Sequence, residues 1–431
     1  MQLNSSKSIR GALATITAAL LGANAVSVAG QGKLESSLLY YSESGRVRAG
    51  EGIVNISKQL KGDRNIGVKL TLDGLTGATP NGAVPSSKAQ TFTGASGRTQ
   101  NVVQPGVIPL DGSFRDMRFA VDANLSQPWN RVTSSVFGGH FSAEQDYYSF
   151  GVNSGITRDF NRKNTTVGLS GSYSHDIVAP RGSAPIPFAF LPVPPDQPPS
   201  DDEHESGGVH STRPKEVFDV VLGVSQILDR KTIMRLNYSY NRTSGYLNDP
   251  YKILSVVNDQ NSPDAGDPVN YIYESRPRTA GRQALYGQVR RDLAGNTIDL
   301  SYRYFWDNWG ITSHTVDFFY RWQLKGDKAL QPHLRWYHQS QANFYRPFLV
   351  NGVAFPQYAS ADVRLARFSA VTAGLQYSLP ITGGSRLNIA AEYYTQVGDR
   401  SPPEAIGILR QYDLFPRMKV IMFRLGFESG F

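Results

Sequence analysis

The stretch Ile311-Thr-Ser-His-Thr-Val-Asp-Phe-Phe-Tyr-Arg-Trp-Gln-Leu-Lys325 decides the fold. His314, Val316, Phe318, Tyr320, Trp322 and Leu324 fall on one face, and Thr315, Asp317, Phe319, Arg321, Gln323 and Lys325 on the other. A period of two places side chains on alternate faces of a strand, so this segment has an apolar side and a polar side. Its length matters as much as its period. A strand in a soluble sandwich runs about five or six residues, whereas a tilted strand needs roughly 9–11 to cross a bilayer. The pattern recurs in 297–307, where Ile298, Leu300, Tyr302, Tyr304 and Trp306 oppose Thr297, Asp299, Ser301, Arg303 and Asp307. It recurs again in 384–398, with Leu387, Ile389, Ala391, Tyr393 and Val397 against Arg386, Asn388, Glu392, Tyr394 and Gln396.

The connections carry the argument from strands to a closed sheet. Short links fall near 60–64, 127–131, 159–163, 228–231, 294–296, 325–328 and 380–383, and several hold turn pairs such as Gly295-Asn296 and Gly326-Asp327. Long links fall near 73–114, 177–214, 247–282, 342–360 and 399–415, with short exceptions near 45–48, 141–144 and 307–311. Every long link lies on one side. An all-β transmembrane antiparallel outer-membrane barrel has short periplasmic turns and long extracellular loops, and about 16 strands are expected here, with 14–18 as the range. The stretch 37–60 is the least clearly patterned.

Composition agrees. The chain has 431 residues, 22 Tyr, 21 Phe, 41 Gly and no Cys, so stability must come from a large core or a closed sheet rather than disulfides. The formal charge of +8 is spread without a basic run, which excludes nucleic acid as the expected partner. At the N-terminus, Lys7 and Arg10 precede the apolar stretch Gly11–Leu21 and small residues, the pattern of a signal peptide over 1–25, with Ala29 as a second cleavage point. The remainder, 26–431, is then one barrel, and no later apolar run is long enough for a spanning helix.

The last strand places Phe423, Leu425, Phe427 and Phe431 on one face. This ending resembles the signal read by the barrel-assembly machinery, although Ser429 stands where an apolar residue is more usual. Expected partners are therefore that machinery, periplasmic chaperones, membrane lipid and lipopolysaccharide. The chain also resembles an uncharacterised family of Gram-negative outer-membrane barrels that carries only a domain-of-unknown-function label. The matching stretches are 70–83, 159–176, 237–257, 302–324 and 331–379, including FYRPFLVNG and PQYASADVRL. The resemblance implies a barrel in a bacterial envelope and brings no catalytic residues. Genes of this kind often neighbour thioredoxin-like and flavin-transferase genes, which implies a link to envelope redox work that no residue here supports independently.

Candidate sites are few. Pairing through the turns brings lumen charges together: Asp317 near Arg303 and Arg335, and Arg321 near Asp299 and His333. The loop 177–214 holds eight Pro between Pro180 and Pro199, then Asp201, Asp202, Glu203, His204, Glu205 and His210. These could ligate a cation, or simply form a solvated loop stiffened by proline. His140, Ser142 and Asn153 contain the residue types of a lipase, but their strand positions separate them. The segment 73–114 suits either a lumenal plug or an external loop. Trp306, Trp309, Trp322, Trp336, Tyr320 and Tyr393 suit the interfacial girdles. No cofactor is implied. A restricted channel or substrate-specific pore is the leading expectation. A plugged binding or structural envelope protein comes second, and an outer-membrane lipase third.

Overall fold

The computed structural model describes residues 32–93, 100–180, 184–191, 212–381 and 384–430. Sixteen strands close into one antiparallel barrel. In chain order they are β1 Gly32–Glu43, β2 Arg48–Gln59, β3 Asn65–Pro80, β4 Leu110–Pro128, β5 Thr133–Ala143, β6 Tyr147–Phe160, β7 Thr165–Val178 and β8 Arg213–Asp229. They continue with β9 Thr232–Gly245, β10 Thr279–Leu293, β11 Asn296–Asp307, β12 Thr312–Gln323, β13 Ala329–Gln339, β14 Phe368–Pro380, β15 Arg386–Gly398 and β16 Met418–Gly430. Each pairs with its neighbour, and β16 pairs with β1 in the register Phe423↔Tyr40, Leu425↔Leu38 and Phe427↔Ser36, so no edge is left open. The links 60–64, 129–132, 161–164, 230–231, 294–295, 324–328 and 381–385 lie at one end, and every long link lies at the other. The weakly patterned 37–60 stretch forms most of β1 and β2.

The apolar faces point outward. Trp322 is 52% exposed, Leu334 52% and Phe423 53%, and similar residues ring the molecule. Such a continuous exposed apolar surface suits hydrocarbon and not water. The chain is thus an outer-membrane barrel with short periplasmic turns and long extracellular loops. Among the described residues, no helix is long and apolar enough to cross a membrane. Trp306, Trp322, Trp336, Tyr320 and Tyr393 share the outward face of their strands, but Trp309 does not. It is buried beside Phe344 and donates from Nε1 to the Thr279 carbonyl at 2.9 Å, so it belongs to a core. Its place in a short link, beyond the strand period, hid this from a face-by-face reading.

The described parts of the long loops, 81–93, 100–109, 184–191, 246–278, 340–367 and 399–417, fold together. Ile253–Val257 is the middle strand of a small sheet with Pro268–Tyr273 and Leu349–Val350. Val84, Val257, Phe348, Ala405, Leu409 and Leu414 form one apolar cluster, and Leu254, Val256, Ile272, Leu349, Ala359 and Ala361 another. This cap turns inward. Phe415 packs on Phe368 with ring centroids 6.2 Å apart, and it lies so close to Gly398 that a Cβ there would sit 2.4 Å from its ring. Residues 368 and 398 both point to the lumen, so Phe415 lies inside the extracellular mouth. The segment between β3 and β4 joins the cap through Ala83, Val84 and Phe92. Residues 1–25, the residues from Asp201 to His210 and Phe431 lie outside the described residues.

Candidate functional site in the barrel lumen

The tight turn 324–328 sets β12 against β13 so that Asp317 lies opposite Arg335, and Arg335 Nε donates to Asp317 Oδ1 at 2.8 Å. Two residues along, Phe319 lies opposite His333, and their rings stack 4.1 Å apart at 6°. His333 Nε2 lies 3.0 Å from Asp317 Oδ1, and its Nδ1 lies 2.9 Å from Glu392 Oε1 on β15. A neutral imidazole has one N–H, so both contacts are hydrogen bonds only when the ring is a cation. His333 is therefore a charged strut that ties β12, β13 and β15 together across β14. Gly374 makes room for it: a Cβ there would sit 2.6 Å from the Glu392 side chain.

The other lumen residues named from the sequence sit differently. Asp299 lies opposite Arg290 and Phe319, and its two oxygens accept from the Gln288 amide at 2.8 and 2.9 Å. Arg303 places its guanidinium 5.5 Å from the Phe305 ring centroid. Arg321 lies opposite Thr297. By register it is a diagonal neighbour of both Asp299 and His333, as expected, but no ion pair joins it to Asp299 among the described residues. The structure assembles Asp317, Arg335, His333 and Glu392, and leaves Asp299, Arg303 and Arg321 outside that network. Glu392 was missed because 28 loop residues, 340–367, separate β13 from β14, and a loop of that length sets no register.

The opposite wall, β1 to β8, has another character. Three of its cations are paired: Arg118 with Asp73 at 2.8 Å, Lys69 with Asp122 at 3.8 Å and Lys215 with Asp176 at 3.2 Å. Glu35, Glu51 and Asp219 add further acid to the same lumen face. On the β10 to β16 wall, Arg290, Arg303, Arg321, Arg386 and Arg424 reach no carboxylate oxygen within 4.0 Å among the described residues. The lumen thus has an acid-rich side facing an arginine-rich one.

His140 Nδ1 lies 2.7 Å from Asp122 Oδ1, while Ser142 is buried and Asn153 lies opposite Gly138. The His140 partner is thus a carboxylate of the next strand and not Ser142. Phe423 and Leu425 face outward at the β16–β1 seam. Among the described residues, no group of three or more His, Cys, Asp or Glu could hold a metal ion.

The family model described as "Protein of unknown function (DUF3570)" matches residues 10–429. Among solved structures, the chain is similar to Pseudomonas aeruginosa OccK2 (OpdF), solved in complex with glucuronate. The identity is 10% and the TM-score 0.40, covering 93% of this chain and 98% of that one. It is similar to Acinetobacter baumannii OccAB1 at 11% identity and a TM-score of 0.39, covering 93% and 96%. It is also similar to a bacterial polysaccharide outer-membrane secretin at 7% identity and a TM-score of 0.47, covering 94% and 100%. These are likenesses of general form between chains of dissimilar sequence. No curated protein matches.

Proposed function

This chain belongs to the family described as protein of unknown function (DUF3570), which brings no activity with it, and we propose that it acts as a restricted channel or substrate-specific pore. The observation that carries this reading is the charge separation across the lumen. Opposed acidic and basic walls set up a transverse field that orients and sorts charged solutes, whereas a purely structural lumen would need only local pairs. The inward cap then restricts the passage from outside. Catalysis forms no part of the proposal, since His140 is turned to Asp122 and away from Ser142. Export by a cleaved signal peptide over 1–25, reading of Phe431 by the barrel-assembly machinery and contact with lipopolysaccharide belong to the same proposal.

The test is conductance of the refolded protein in planar bilayers. Small discrete steps are expected, growing when Phe415→Gly loosens the cap. If wild type and variant both stay silent while gel mobility shows a folded barrel, the reading falls to its alternative. That alternative is a plugged barrel serving as a binding or structural envelope protein, and the apolar clusters of the cap favour it.

A further inference from the structure

The arginine wall is densest near the periplasmic mouth. Arg290 lies three residues from the end of β10, Arg321 two from the end of β12, and Arg386 opens β15. Their strands are not adjacent, yet the register sets all three on the lumen face at the same end of the barrel. Arg386 Nη1 donates to the Asp327 carbonyl at 3.0 Å, in the turn that follows β12, so it reaches past β13 and β14 toward Arg321. By register Arg290 lies opposite Asp299, Asp299 is diagonal to Arg321, and Arg386 lies opposite Glu428. Asp299, opposite Arg290, already accepts both hydrogen bonds of the Gln288 amide. None of the three guanidiniums has a carboxylate oxygen within 4.0 Å among the described residues.

Asp299 and Glu428 lie beside this group but form no ion pair with it, so three guanidiniums are gathered with an excess of positive charge that repels itself. An incoming anion reverses the sign of that term. A guanidinium offers paired N–H groups in a plane that match the oxygens of a carboxylate or phosphate. Elsewhere this chain pairs its cations when they need pairing: Arg118 takes Asp73, and Arg276 takes Glu274 and Asp362. We propose that Arg290, Arg321 and Arg386 form a binding site at the periplasmic end of the lumen for small solutes carrying two or more carboxylate or phosphate groups. As a solute site it rests on the channel reading, but binding can be measured without conduction.

The experiment uses the full refolded barrel in detergent and isothermal titration with inorganic pyrophosphate and, separately, citrate. Wild type binds at least one probe saturably, and Arg321→Gln with Arg386→Gln weakens that binding by at least about tenfold, whereas Lys61→Gln, an exposed cation of another periplasmic turn, changes nothing. Binding of pyrophosphate alone assigns phosphorylated solutes, and binding of citrate alone assigns carboxylates. If the double variant fails to fold, Arg290→Gln at its exposed position carries the test, with a several-fold loss expected. Absence of binding in wild type, or equal binding by the variants, overturns the site. A barrel that conducts without binding removes the site and leaves the channel. One that binds but never conducts removes the channel and leaves the site.

Discussion

The cap and the arginine wall treat positive charge in opposite ways. In the cap, Arg276 Nη2 donates to Glu274 Oε2 at 2.9 Å and to Asp362 Oδ2 at 2.8 Å. Glu274 and Asp362 are each 1% exposed. Arg364 also binds Asp362 and reaches Asp249. In the lumen, Arg290 and Arg303 are exposed and have no such partner. The difference is one of solvent. An ion taken out of water costs several kcal/mol unless a counter-ion and hydrogen bonds replace its hydration, so buried charges must be paired. A guanidinium on a solvent-lined wall keeps its hydration and can be left free for a ligand. The buried carboxylates Glu274 and Asp362 of the cap are therefore paired, while exposed Arg290 and Arg303 can be left free.

The largest expected effect breaks the comparison at its buried end. Arg276→Ala strands Glu274 and Asp362 without their shared cation, and the cap should lose about 3–5 kcal/mol. Limited proteolysis should then cut within 246–278 or 340–367 while the barrel keeps its folded mobility on gels. An uncut variant would mean that the cap does not depend on this network.

An intermediate effect is expected at Glu144, in the short link 144–146 at the outer rim of the acidic wall. Burial, and after it the charge of Asp116, push this carboxyl up to about 7, with Arg118 acting against them. The folded state therefore holds a proton that the unfolded state releases near the ordinary carboxyl value. Its contribution is unpenalised below about pH 4.5 and falls as pH rises to about 7. Partial exposure of the site keeps the loss on the order of 1–2 kcal/mol. Thermal unfolding of Glu144→Gln should lack this part of the pH slope, and an unchanged slope would assign it elsewhere.

The smallest effect lies on the arginine wall. Arg290→Ala removes an exposed side chain with no ion pair, so stability should stay within about 0.5 kcal/mol of wild type. Denaturant unfolding checks this. A loss above about 2 kcal/mol would show that Arg290 supports the wall, and would make the two regions alike.

How far the sequence could be read follows the range of the interactions involved. Outward faces such as Ile298, Leu300 and Tyr302 were legible because a strand alternates by geometry, residue by residue. The Asp317–Arg335 pair was legible because the five-residue turn 324–328 leaves little freedom in register. The His333–Glu392 contact was not, since it crosses a 28-residue link. Nor was the placement of Trp309, whose neighbours Ala342, Phe344 and Leu365 come from another loop.

By itself, then, the sequence determined the barrel, its even strand number and the side on which each link lies, because period, strand length and alternation of link length are local properties. Only the tertiary structure decided that distant loops make an inward cap and that acid and arginine gather on opposite walls. It alone decided that Arg386 reaches toward Arg321. Those outcomes depend on barrel closure and on packing between irregular segments, for which no local pattern in the chain carries a signal.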